Sequence, residues 1–137
     1  MEVPIGIILA IAAGLMLTWS GMDRERALYP TLMIVIASYY VLFAVLGNSQ
    51  QSQWVESLVF LVFLGAAIAG FRSSLWLVVL ALAAHGAFDL VHGLVIDNPG
   101  VPGWWPGFCA AYDVAAAIYL GCMLRRGRVA AKSLAAN

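Results

Sequence analysis

With 137 residues, 64 % of them hydrophobic and only 10 % charged, the chain is too apolar for a soluble domain with a large core, because such domains carry about 25 % charged residues. Its length admits one small bundle. Seven basic and seven acidic residues leave a formal net charge of zero, so no basic surface points to nucleic acid as a partner.

The first apolar segment covers residues 4–20. Glu2 stands where a secretory signal would be basic, and no small-x-small cleavage pattern precedes the first charges. The segment therefore reads as a retained span. Met22-Asp-Arg-Glu-Arg26 follows as a solvated turn or a contact for anionic headgroups, with Glu25 on that side of the membrane. The second segment covers residues 31–47, and a polar link at 48–53 leads to the third, 55–71. Arg72-Ser-Ser74 connects to the fourth, 75–96. A loop reading DNPGVPGWWPG precedes the fifth, 107–124.

All five prolines (Pro4, Pro30, Pro99, Pro102 and Pro106) fall at segment edges or in loops, as expected of a residue that breaks helix interiors and suits first turns. The predicted fold is thus all-α: one transmembrane bundle of five helices over residues 1–124 and a basic cytoplasmic tail over 125–137.

The seven basic residues set the expected orientation. Arg24 and Arg26 lie in the first loop, Arg72 in the third, and Arg125, Arg126, Arg128 and Lys132 after the fifth span. The second and fourth loops have no Lys or Arg, so the positive-inside rule predicts N-out and C-in. Small residues at Ala10/Gly14, Ala66/Gly70 and Gly86/Gly93 predict close helix approach. Trp19, Trp54, Trp76, Trp104 and Trp105 sit near predicted span ends, where indoles anchor at the headgroups. Trp104 and Trp105 have a second reading, as the lining of an opening for an apolar substrate. Cys109 and Cys122 lie on one predicted helix, about 20 Å apart along its axis. That is too far for a disulfide, and both read as small buried residues.

The fourth segment carries the chemistry. His85, Asp89 and His92 recur at i, i+4, i+7 and fall within about 60° of one face. Each costs at least about 2.5–3.5 kcal/mol at the bilayer centre and so calls for partners or a purpose. Under the predicted topology His85 is near mid-membrane and His92 in the outer third. Asp113 lies about two turns into the fifth span, and Glu56 at the outer end of the third. Tyr112 and Tyr39 or Tyr40 can reach the same band. The Pro/Gly-rich fourth loop reads as a compact cap over the outer mouth, with Asp97-Asn98-Pro99 ending the fourth helix.

Imidazole and carboxylate suit Zn, Fe or Mn, and Asp89-x-x-His92 echoes the Glu-x-x-His helices of di-metal bundles. The two His are about 10.5 Å apart along the axis, so one ion does not easily take both. The expected ligands are Asp89, His92 and Asp113, with Glu56 near. His85 is a further ligand or a general base, and the expected catalytic group is His85, Asp89 and Asp113. The same residues also read as interhelical glue worth about 0.6 kcal/mol per bond, or as a proton or ion relay.

The pattern His85-Gly-x-x-Asp89-x-x-His92-Gly93, with Trp104-Trp105-Pro106 and Tyr112-Asp113 after it, resembles small bacterial multi-span membrane proteins. That resemblance implies a bacterial inner-membrane location and brings no activity. In chemistry alone, the cluster is similar to intramembrane zinc hydrolases of the alkaline ceramidase and adiponectin receptor group. Those have seven spans, three His, an Asp and a Ser. This chain has two His, so Asp113 would replace the third, and the likeness covers at most the last two helices.

The leading expectation is an outward-facing polar pocket, formed mainly by the fourth and fifth helices. It would serve a metal-dependent, hydrolase-like membrane enzyme acting on a lipid-like or other apolar substrate, with the ion activating water. The alternatives are a small proton-coupled carrier, or a non-enzymatic subunit of a membrane complex whose polar face binds a partner helix or pigment. Homo-oligomerisation is open under each.

Overall fold

The computed structural model describes residues 1–129, which form five α-helices and one 3₁₀ turn and contain no strand. The helices are α1 (Glu2–Ser20), α2 (Leu28–Leu46), α3 (Gln50–Arg72), α4 (Trp76–Val95) and α5 (Trp105–Arg125). The 3₁₀ turn is Met22–Arg24. All five helices are long and apolar enough to cross a membrane, the signature of a multi-pass membrane protein. Lys132 and the rest of the expected tail from residue 130 onward lie outside the described residues.

Local chemistry sets the helix ends. Pro4, Pro30 and Pro106 each occupy a first turn, where a missing N–H costs nothing. Gly21 stops α1 in the left-handed region at φ 77°, with its N–H on the Thr18 carbonyl. The expected link at 48–53 is shorter than its polarity suggests. Ser49 caps α3 by accepting the Ser52 N–H, so Gln51, Ser52 and Gln53 form the helix's polar first turn.

Two contacts sort the connections. Arg26 Nη2 donates to the Phe71 carbonyl at 2.8 Å, which brings the first and third connections to one end. Ser52 Oγ donates to the Asp97 carbonyl at 2.6 Å, which brings the second and fourth to the other. The arginines therefore gather at one end of the bundle, and the opposite end has none.

Helix α5 packs against α1 and α4, and α3 packs against α2 and α4. Gly6, Ala10 and Gly14 form the buried face of α1. Gly14 lies so close to the Tyr119 ring that a Cβ would stand 2.9 Å from it. Gly86 serves the α4–α5 approach in the same way, whereas Gly93 faces open space and has no packing role. On α3 the close approach is made by Ala67 and Gly70. Trp19, Trp54, Trp76 and Trp104 are exposed, as interfacial anchors would be. Trp105 differs: its ring packs against Tyr39, Phe43 and Phe108.

The core divides along the membrane normal. Met33, Ile36, Ala67, Leu75, Val78, Leu82 and Leu120 fill the half toward the arginine end with apolar side chains. The other half is occupied by buried acids, imidazoles, a tyrosine and an asparagine.

Candidate functional site

The polar half is built on helical register. His85 and Asp89 are one turn apart on α4, and Cys109 and Asp113 are one turn apart on α5. Residues at i and i+4 share a helix face, so two helices meeting along these faces bring four donors together. One ligand atom from each of His85, Asp89, Cys109 and Asp113 lies within 4.8 Å of all the others. None of the four residues is more than 3 % exposed. The close approach rests on Gly86, where a Cβ would stand 3.1 Å from the Ala110 carbonyl oxygen and 3.3 Å from Asp113 Cβ.

Within the tetrad, His85 Nδ1 lies 2.7 Å from Asp113 Oδ2 and 3.5 Å from Asp89 Oδ2. An ionised carboxylate only accepts, so the imidazole N–H donates to Asp113. Tyr40 on α2 donates its hydroxyl to Asp89 Oδ1 at 2.7 Å. Phe63 on α3 sets its ring edge-to-face with the His85 ring at 4.8 Å and fixes the imidazole plane.

A second group lies about one turn nearer the arginine-free end. His92 Nε2 is 2.7 Å from Glu56 Oε1 on α3. Asn98 Nδ2, from the loop after α4, donates to Glu56 Oε1 at 2.9 Å and to the Tyr40 carbonyl at 3.1 Å. The Tyr40 ring stacks on His92 with centroids 4.0 Å apart and planes 16° apart. Tyr40 thus touches both groups.

The sequence expectations and the structure differ in the partner of His92, the closure of the pocket, the exposure of Cys122 and the role of Asn98. His92 is expected beside Asp89 and Asp113, but it stands against Glu56, and His85 takes the place between the two aspartates. Of the expected tyrosines Tyr40 reaches the acids; Tyr39 stacks on Phe43 and lies tilted against Trp105, and the Tyr112 ring lies tilted against Phe108. The pocket is not open: the tetrad is enclosed, and α2, α3 and the fourth loop help to close it. Cys109 is buried beside the acids, whereas Cys122 is exposed rather than buried. Asn98 does more than end α4, because its side chain is buried over Glu56.

The electrostatics are unbalanced. Glu56, Asp89 and Asp113 are three buried carboxyl groups facing two imidazoles, and the arginines lie at the far end of the bundle. Glu56 Oε2, Asp89 Oδ2 and Asp113 Oδ1 are buried without a hydrogen-bond partner among the described residues. A buried carboxylate left uncompensated costs several kcal/mol. A cation bound among the four ligand atoms would supply the missing positive charge. Thiolate, imidazole and two carboxylates form a donor set suited to zinc or ferrous iron, and the sulfur makes manganese a poor fit.

No family model, curated protein or solved structure matches this chain.

Proposed function

We propose that this is an integral membrane protein that holds one divalent transition-metal ion between α4 and α5, with His85, Asp89, Cys109 and Asp113 as ligands. The observation that carries this reading is the convergence of four ligand atoms within 4.8 Å; both aspartates among them keep an oxygen with no hydrogen-bond partner among the described residues. Tetrahedral zinc with such ligands has donor–donor edges of about 3.3–3.8 Å, so shifts of about 1 Å would close the site. Tyr40 and Phe63 would act on the ion through its ligands, by orienting Asp89 and His85.

Four protein ligands complete a tetrahedron, whereas a hydrolytic centre keeps one position for water. The donor set therefore supports metal holding ahead of the hydrolase-like reading with a lipid-like substrate. That reading requires Cys109 to stay protonated, leaving His85, Asp89 and Asp113 as ligands and the fourth position to water.

The decisive test is elemental analysis of protein purified in mild detergent and dialysed against zinc, with Cys109→Ser and His85→Ala in parallel. One ion per chain is expected in wild type and much less in both variants. A folded wild type that binds none would overturn the proposal and leave the cluster as hydrogen-bonded glue between helices.

The proposal includes an orientation with the arginine end cytoplasmic and the Glu56–His92 end outside. A fluorescent protein fused after residue 137 should then fluoresce in cells, and alkaline phosphatase fused there should be inactive. The opposite pair of results would reverse the orientation.

A further inference from the structure

We infer that Glu56 and His92, closed over by Asn98, form a second cation-binding station through which a divalent metal ion reaches the tetrad from the arginine-free end. This inference rests on the metal reading of the tetrad and adds a route to it.

Glu56 is 1 % exposed and its Oε2 has no hydrogen-bond partner among the described residues. Its Oε1 already receives His92 and Asn98. One carboxylate oxygen is thus held by the bundle and the other is left for a ligand; His92 gives its Nε2–H to Glu56 and would offer a cation its other ring nitrogen, Nδ1. Carboxylate and imidazole without thiolate make a two-donor set that binds a divalent ion more weakly than the tetrad. A transfer station needs that order of affinities.

Position supplies the rest. One turn outward from Glu56 on α3 is Ser52, which donates to the Asp97 carbonyl. Ser52 and Asp97 line a cleft of about 340 Å³ with Ser49, Gln51, Ile96 and Pro99. Inward, Tyr40 joins the two groups through its ring on His92 and its hydroxyl on Asp89. Asp89 and His92 are three residues apart, about 4.5 Å along the α4 axis. The order cleft, Glu56–His92, Asp89, tetrad therefore runs down one face of α4. No Lys or Arg lies in either connection at this end, and Asp97 lines the cleft, so the mouth favours cations over anions.

Asn98 closes the route. Its amide spans Glu56 and the Tyr40 carbonyl, and its Oδ1 accepts the Gly100 N–H at 3.3 Å. Gly100 in turn lies against the Phe43 carbonyl and Gly47, a contact that no Cβ could share. The loop is thereby seated on the end of α2, and Asn98 is its inward-pointing side chain.

The test follows Co2+ uptake by metal-stripped protein in nanodiscs, with every protein carrying Cys122→Ser to remove the exposed second thiol, read from the near-ultraviolet thiolate-to-cobalt charge-transfer band that Cys109 alone can then produce. Glu56→Gln should reach the wild-type endpoint at a rate lower by about tenfold or more. Asn98→Ala keeps both donors and opens the mouth, and should load at least as fast as wild type. Wild-type rate and endpoint in Glu56→Gln, or slow loading in Asn98→Ala, would overturn this inference and leave the tetrad intact. A lost endpoint in Glu56→Gln would make Glu56 a ligand of the final site and overturn it as well. Absence of the band in wild type would overturn the tetrad reading itself.

Discussion

Metal-stripped His85→Leu should be less stable than wild type by about 3–5 kcal/mol, and His85→Leu/Asp113→Leu should recover much of that loss. The reason is the asymmetry of buried charge. Removing one partner of a buried ion pair leaves the other uncompensated, whereas replacing both with apolar groups is often neutral. His85 sits between two carboxylates, 2.7 Å from Asp113 and 3.5 Å from Asp89. Its loss strands Asp113, whose other oxygen already has no hydrogen-bond partner among the described residues. In the double variant Asp89 keeps the Tyr40 hydroxyl at 2.7 Å, and two leucines fill the space. Reversible unfolding in mixed detergent micelles would measure all three proteins. If His85 were ordinary interhelical glue, the single variant would lose only about 0.6 kcal/mol and the double would add to it.

The same proteins separate stability from metal binding. Zinc at about a hundred times its dissociation constant should stabilise wild type by about 2.7 kcal/mol. It should leave the double variant unchanged. Equal stabilisation of both would place the ion elsewhere in the chain.

Helix number and order are legible in the sequence because the bilayer demands long apolar runs and pushes charges and prolines to their ends. Residues 75–96 show this most clearly, and the polar face of α4 follows from spacing alone. The partners of that face do not, because depth along the normal says nothing about direction around a helix. Asp89 and His92 share a depth band, yet they lie about 60° apart around the α4 axis. That angle is enough to leave Asp89 with Cys109 and Asp113 on α5 and to turn His92 toward Glu56 on α3.

Cys109 is a different case. Cys109-x-x-x-Asp113 repeats the register of His85-x-x-x-Asp89 on the next helix, so the pairing of two i, i+4 motifs is present in the sequence. A lone cysteine in an apolar helix is usually packing, and that prior conceals it. Asn98 is hidden for another reason. Before a proline it signals a helix end, and only the loop's seat on α2 turns its side chain inward.

The cluster depends on how closely α4 and α5 approach, which gives a test that touches no ligand. Gly86→Ile should weaken metal binding by roughly ten- to a hundredfold, the size of effect seen when the supports of a metal site are removed. It should also cost about 1–3 kcal/mol of stability through overpacking. A Cβ at Gly86 meets the Ala110 carbonyl oxygen at 3.1 Å, Val114 Cγ2 at 3.2 Å and Asp113 Cβ at 3.3 Å. Two of these contacts are α5 backbone or the root of a ligand side chain, so relief must come from separating the helices. The four donors come in pairs from those two helices, and any separation lengthens every cross-helix edge of the tetrad at once. Gly93→Ile is the matched control: it lies two turns along the same helix with nothing within 4 Å of its Cβ position. It should keep wild-type stability and metal content. Titration of zinc into both variants in detergent, with helicity monitored, decides the matter. Wild-type affinity in Gly86→Ile would mean that the ion is not held between α4 and α5, because no four-donor site across that interface survives a branched side chain wedged beside it.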